Sequence, residues 1–301
     1  MNSTVLVHGA DNFIGSRLVE TLRQRGGIEV QAVVGADEAA LRRALPAAQS
    51  VAHCIVGAAS DIERGGAALY GLLAVTPNAP SVVHLSSMTV YGSVTGSVDE
   101  SCPIRADLGS YAAAQARAEG LAAKYSRAVI LRSGVEYGPG CATWSGRVSR
   151  WLRAHRLGDL GEAGDGVCNL IYIEDLLSVI LAALREPAVE GGVFNVAAAD
   201  KPTWNQYFTQ YALALGAVPV RRISPRRLSL EAGIAPLLKV AEILAGGARG
   251  GSRLVPPPIP ASLLLACRHE MALNVTQVEN RLGARWTPLK EGLRRTAKFY
   301  G

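Results

Sequence analysis

The sequence predicts an α/β protein, a doubly wound parallel sheet joined to a smaller, mainly helical C-terminal region. Three observations carry this prediction. Apolar, β-rich runs alternate with stretches of helical periodicity from residue 4 to about 197. A glycine-punctuated turn follows the first of those runs, and beyond about residue 200 the strands give way to helices.

"TVLVHGA" (4–10) reads as a strand ending in glycine, and "FIGSRLVETLRQRG" (13–26) as a helix. Residues 14, 18 and 22 put apolar side chains on one face of that helix, and Gly26 and Gly27 close it. "IEVQAVVG" (28–35) is a second strand, "EAALRRAL" (38–45) a helix, and "SVAHCIVGAA" (50–59) a third strand. "SVVHLSS" (81–87) and "AVILRSG" (128–134) are buried strands with a helix over 110–125 between them. "NLIYIEDLLSVILAALREP" (169–187) is a strand leading into a long helix, and "GGVFNVA" (191–197) is one more strand. The remainder reads as helices at "TWNQYFTQYALALG", 232–246 and "EGLRRTAKFYG", with a proline-rich "PPPIP" (256–260). "NVTQVENRLG" matches a glycosylation sequon at Asn274, but Asn274 with Gln277 fits a helix cap better.

Composition narrows the class. The chain has 301 residues, 49% hydrophobic and 19% charged, enough for a sizeable core. The net charge of +6 is spread along the chain, and no nucleic-acid-binding module is visible. The densest basic run, "GRVSRWLRAHR" (146–156), places Arg147, Arg150 and Arg153 on one helical face, as a solvated face or a contact for a phosphate-bearing ligand or nucleic acid. Five cysteines (54, 102, 141, 168, 267) show neither CxxC pairing nor metal-ligand spacing, which fits reduced thiols in a cytoplasm. The start "MNSTVLVHGA" has no basic n-region, and the apolar 232–248 stretch is interrupted by Pro236, Lys239 and Glu242. A soluble, cytoplasmic protein with no membrane partner is the expectation.

"HGADNFIG" (8–15) follows a strand and opens a helix, the context of a dinucleotide-binding turn. Gly9 is placed for the tight turn and Gly15 for close helix–strand packing. Backbone N–H groups at the helix start, at Phe13, Ile14 and Gly15, would hold a pyrophosphate. The middle glycine position is Asn12, a residue that tolerates positive φ but whose side chain occupies space near the phosphates. The second strand ends "VVGAD", so Asp37 is the candidate for the adenosine ribose, or alternatively the cap of the next helix. Only about fifteen residues then precede the next strand, too few for another β–α unit, so the adenine side is trimmed and NAD or NADP stays open.

Four stretches occur in order: "HGADNFIGSRL", "HLSSMTVYG" (84–92), "YAAAQARAE" (111–119) and "ILRSGVEYGPG" (130–140). With them the chain resembles the extended short-chain dehydrogenase/reductases, the NAD-dependent epimerase/dehydratase family, over nearly its whole length. The resemblance implies a Rossmann-type dinucleotide-binding domain over 1–166, plus the strand near 193–197, with 167–301 mainly binding substrate. It also implies an NAD or NADP cofactor, a small-molecule substrate and a homodimer. Ser87 matches the residue that hydrogen-bonds the reacting oxygen, and Tyr111 the one that gives or takes the proton. The lysine four residues after that tyrosine is replaced by Gln115.

A free tyrosine ionises near pH 10, so about one in a thousand is phenolate at pH 7. A neighbouring ammonium can lower that value by about one to three units. Gln115 can still hydrogen-bond a ribose hydroxyl but brings no charge, which favours reduction, with Tyr111 as acid, over oxidation. Family members that act on nucleotide sugars often carry an arginine in the stretch matching "GVCNLIYIEDL", where this chain has Cys168. Glu136 is a candidate pocket carboxylate, or an ion-pair partner of a nearby arginine, and Arg147 is a candidate for an anionic substrate group. His8, His53 and His84 lie in apolar strands and read as core or strand-end residues. The expected function is an NAD(P)-dependent oxidoreductase or epimerase of a sugar or small polyol or carbonyl compound, in saccharide or secondary-metabolite biosynthesis. A non-catalytic ligand-binding protein and a non-redox acid–base isomerase or lyase are the alternatives.

Overall fold

The computed structural model describes residues 3–224, 226–227, 233 and 259–301. The helix expected at 232–246 therefore lies outside the described residues, Gly233 apart. The first half of the chain runs through β1 (Ser3–His8), α1 (Phe13–Arg25), β2 (Ile28–Val33), α2 (Glu38–Ala44), β3 (Ser50–His53), α3 (Ala59–Leu73) and β4 (Ser81–Ser87). It continues through β5 (Gly96–Val98), α4 (Ser110–Ala122), β6 (Ala128–Ser133), β7 (Val135–Tyr137) and α5 (Val148–Arg153). The remaining elements are β8 (Leu170–Tyr172), α6 (Ile173–Ala183), β9 (Val193–Val196), α7 (Trp204–Ala214), α8 (Ala261–Cys267), α9 (Thr276–Leu282) and α10 (Leu289–Tyr300).

Two compact units emerge. The first comprises Met1–Gly134, Ile173–Ala197 and Leu273–Trp286. Its sheet has six strands in the order β2-β1-β3-β4-β6-β9, every pair parallel. Among the described residues a single strand, β2, lies beyond β1 on one side, as the short connection after "VVGAD" predicts. The order reverses at β1, so the crevice outside its C-terminal end is the topological switch point where ligands of such sheets bind. Leu6, Val7, Val51, Ala52, Val82, Val83, Val129 and Leu131 are buried strand residues, as are Leu18 and Leu22 of α1 buried helix residues, and Leu69 and Leu73 of α3 pack with Leu6, Val51 and Val82 in one cluster. Burial on both faces explains why these strands read as continuous apolar runs.

The second unit comprises Val135–Tyr172, Ala198–Ala272 and Thr287–Gly301. The first boundary thus falls at Gly134, not at the expected 166. The reason is backbone pairing: Gly134 N–H donates to Val196 O (2.9 Å), whereas Val135 N–H donates to Asn169 O (2.7 Å). β7 then pairs in parallel with β8, so the chain joins the second unit as soon as it leaves β6. The expected continuous 169–187 strand–helix segment is divided between the units for the same reason. The second unit's core is aromatic, with Tyr137, Trp204, Tyr207, Phe208 and Tyr211 all buried. Thr203 and Gln206 form a reciprocal capping box that starts α7. At α9 no such box forms: Asn274 Oδ1 accepts from Thr276 N–H (3.0 Å) and Gln277 instead reaches Glu100 (3.2 Å).

Candidate active site

The first unit holds the glycine turn, Ser87, Tyr111 and Gln115. Gly9 adopts φ +91°, where a side chain would be strained, and a Cβ there would meet the Cys54 carbonyl at 3.0 Å. A Cβ on Gly15 would overlap the Gly9 carbonyl, so α1 approaches the turn as closely as backbone allows. Asn12, however, has φ −85° and ψ 173°, ordinary N-cap geometry, so its tolerance of positive φ is not used. Its Oδ1 accepts from Ile14 N–H (3.0 Å) and Gly15 N–H (2.9 Å), while its Nδ2 donates to Cys54 O (2.6 Å).

Two carboxylates hold the end of β2 and the start of α2. Asp11 Oδ1 accepts from Gly35 N–H (2.7 Å), tying the turn to the end of β2. Asp37 Oδ1 accepts from Ala40 N–H (3.0 Å) and caps α2, the alternative role the sequence allowed it.

Ser87 ends β4 and is nearly buried. Its Oγ accepts from Thr89 N–H (3.3 Å) and pairs with Thr89 Oγ1 (3.1 Å), capping the turn at Met88–Tyr91. The helix that carries Tyr111 packs against β4 and that turn. Its alanines explain the fit: Ala114 and Ala118 cluster with Ile55 and Ile62, and a Cβ on Gly66 of α3 would stand 3.1 Å from Ala118 Cβ.

Tyr111, Gln115 and Glu119 recur every fourth residue, on one helical face. Gln115 Nε2 donates to Tyr111 Oη (3.1 Å). Gln115 is 1% exposed, and its Oε1 is buried with no hydrogen-bond partner. Glu119 is fixed by a network that sequence reading did not find. Arg132 on β6 donates to Glu119 Oε1 through Nε (3.0 Å) and Nη2 (2.6 Å), and Ser86 Oγ donates to Glu119 Oε2 (2.6 Å). Arg132 Nη1 also donates to Tyr91 Oη (2.8 Å), which donates to Asn195 Oδ1 (2.6 Å). All of these groups are buried. The signals in the sequence were an arginine inside the apolar run "AVILRSG" and a glutamate one turn after Gln115.

Three histidines occupy matching positions on adjacent strands, His8 opposite His53 and His53 opposite His84. His53 Nδ1 lies 3.0 Å from His8 Nδ1, and Tyr70 Oη 3.1 Å from His84 Nδ1. Burial lowers His8 to about 4, against the opposing pull of Asp11. Burial lowers His84 to about 3 and, with repulsion from its two neighbours, His53 well below the ordinary range. They are neutral core groups, as the sequence suggests.

Glu136 and Arg147 belong to the second unit. Glu136 sits half-buried on β7, its carbonyl accepting from Cys141 Sγ (3.3 Å). Arg147 is exposed and borders a cavity of about 250 Å³ with Trp144, Trp151, Pro260 and Leu263. Arg150 and Arg153 are exposed as well, opposite the buried Val148, Trp151 and Leu152. Cys168 is fully buried, and burial raises its thiol well above the ordinary value. No described group of His, Cys, Asp and Glu could hold a metal ion, and no described helix is long and apolar enough to cross a membrane.

A six-stranded parallel sheet with a glycine turn at its switch point defines a Rossmann-type nucleotide-binding protein. The model of the NAD dependent epimerase/dehydratase family matches residues 5–197, and the chain belongs to that family of NAD(P)-dependent enzymes. Among solved structures, UDP-glucuronic acid 4-epimerase from Bacillus cereus, in complex with UDP-glucuronic acid and NAD, is similar at 17% identity and a TM-score of 0.74, over 99% of this chain and 98% of its own. The human epimerase family protein SDR39U1 (isoform 2) with NADPH gives 19% identity and a TM-score of 0.75, over 98% and 99%. The UDP-glucose 4-epimerase of Thermotoga maritima with UDP-glucose gives 18% and 0.71, over 99% and 98%. At these identities the likeness is one of fold. No curated protein matches the chain.

Proposed function

We propose that the chain is an NAD(P)-dependent oxidoreductase or epimerase of a sugar or other small polyol or carbonyl compound, serving saccharide or secondary-metabolite biosynthesis. The observation that carries this reading is the Gln115–Tyr111 pair. Tyr111 Oη accepts from Gln115, which directs the phenol proton away from the amide and supports Tyr111 as the group that protonates a substrate oxygen. The other amide atom of Gln115 is a buried acceptor lacking a donor, a costly arrangement that a ribose hydroxyl would relieve. With the glycine turn, this fits a nicotinamide dinucleotide. When bound, that group gives hydride to, or takes it from, the substrate carbon.

The chain's own residues do the rest. Ser87 steadies the reacting oxygen, Tyr111 protonates it, and Gln115 orients Tyr111 and holds the ribose. Glu119 and Arg132 fix the rotation of α4 so that these two side chains keep their direction. Gly9, Phe13, Ile14 and Gly15 form the phosphate turn, and Asp37 stands at the adenosine end. With the uncharged Gln115 in the position of the family's lysine, the site suits protonation of a carbonyl better than deprotonation of an alcohol. In the second unit, Arg147 and Glu136 are the candidate residues for an anionic group and for a carboxylate role, each within that unit. Two of the similar structures hold nucleotide sugars, which supports a sugar as substrate. Cys168 leaves this chain without the arginine that many family members use on such nucleotides. A cytoplasmic homodimer belongs to the same reading, and sedimentation checks the dimer.

The test is turnover of NADH or NADPH against a panel of keto-sugars and small carbonyl compounds. Tyr111→Phe should abolish turnover while leaving cofactor affinity within a factor of about two. Undiminished turnover by Tyr111→Phe would remove that residue from the mechanism.

A further inference from the structure

We propose that Asn12 is a displaceable plug in the phosphate turn, one that makes the dinucleotide an exchangeable co-substrate instead of a permanently held group. The inference rests on the dinucleotide reading above. At this position a dinucleotide turn has glycine, so that backbone N–H groups can meet the pyrophosphate. Here the Asn12 carboxamide covers two of those groups. Its Oδ1 sits 3.0 Å from Ile14 N and 2.9 Å from Gly15 N, taking up both donors that a phosphate would need.

The plug is clamped from behind, since Nδ2 donates to Cys54 O at 2.6 Å. A pyrophosphate must therefore break three hydrogen bonds within the protein before making its own. Displacement needs only a side-chain rotation, because Asn12 is half-buried and its backbone is unstrained. The neighbouring carboxylates add to the effect: Asp11 and Asp37 are both committed to backbone N–H groups, and among the described residues β2 alone flanks β1 on that side.

The consequence bears on the reaction. An epimerase that oxidises and re-reduces the same substrate regenerates its dinucleotide in place and gains from holding it. A net reductase must release the oxidised form after each turnover. A plug that returns to the turn when the dinucleotide leaves favours the second.

The experiment is calorimetric titration of the full chain, and of Asn12→Gly and Asn12→Asp, with NAD, NADH, NADP and NADPH, alongside thermal melts of the free proteins. Asn12→Gly should bind about ten- to a hundredfold tighter, equivalent to about 1.4–2.7 kcal/mol. It should also melt lower when free, having lost its cap. Asn12→Asp keeps the cap but opposes the pyrophosphate with charge, and should bind at least about tenfold more weakly than the wild type. Asn12→Ala, expected to behave like Asn12→Gly, replaces it if the glycine variant does not fold. The wild type should purify free of nucleotide. Affinity of Asn12→Gly equal to or below wild type, or wild type retaining a dinucleotide through purification, would overturn the plug and leave the dinucleotide reading standing. No binding by either protein at millimolar concentration would overturn both.

Discussion

Lowering the pH from about 7.5 to about 5.5 perturbs the row formed by His8, His53 and His84 more than any other described group in the first unit. In the unfolded chain each imidazole titrates near pH 6.5. In the native protein burial holds His8 at about 4 and His84 at about 3, and His53 well below its ordinary value. Above about pH 7.5 neither state binds an appreciable number of protons and the row is neutral in its effect. As the pH falls below that value the unfolded chain gains protons that the folded protein refuses, so stability is lost. At about pH 5.5 each ring contributes a loss of about 1 kcal/mol, and the three together a few kcal/mol. Against a typical total of about 5–15 kcal/mol, that is a large fraction. Urea denaturation followed by circular dichroism at the two pH values reads this directly. His84→Phe removes one titrating ring while leaving an aromatic neighbour for His53, and should cut the pH-dependent part by about a third. Equal stability at the two pH values would refute the assignment of neutral, buried imidazoles.

Three further outcomes follow from the site. Gln115→Lys restores a cation beside Tyr111, and should raise alcohol oxidation about ten- to a thousandfold and move its pH midpoint down by about one to three units in a pH–rate profile. Arg132→Met strands the Glu119 carboxylate in the core and should cost about 3–5 kcal/mol by denaturant titration, whereas Arg132→Met with Glu119→Gln should recover a substantial part of it. Gly15→Ala drives a methyl group into the Gly9 carbonyl, and should both lower the melting temperature and weaken dinucleotide binding in calorimetry.

Much of this was legible in the sequence, and the rest was not, for identifiable reasons. Strands buried on both faces write themselves as apolar runs, so β1, β4 and β6 were readable, as were Gly9 and Gly15, whose roles leave no room for a side chain. That no strand lies beyond β2 among the described residues was readable as a connection too short to form one. Less was visible where a residue's role depends on a distant partner. Asn12 reads as a glycine substitute until Cys54 O, forty-two residues away, is seen to hold its amide. Glu119 looks like a surface residue of an alanine-rich helix until Arg132 is seen beneath it. The boundary at Gly134 was hidden because it depends on which strand the next backbone amide pairs with, β9 or the segment leading into β8. Asp37 offered two roles to the sequence, and the hydrogen bond to Ala40 N–H is the local one, set by the next helix.

The central claim is that the glycine turn and the Gln115–Tyr111 pair together hold a nicotinamide dinucleotide. Its most direct test is titration of wild type and Gln115→Leu with the reduced and oxidised dinucleotides, followed by calorimetry. Saturable binding by wild type, weakened about tenfold when the buried amide is replaced by a group that can accept no ribose hydroxyl, is the predicted result. Equal affinity of the two proteins would contradict the placement of the ribose, and absence of binding by wild type at millimolar dinucleotide would contradict the claim itself.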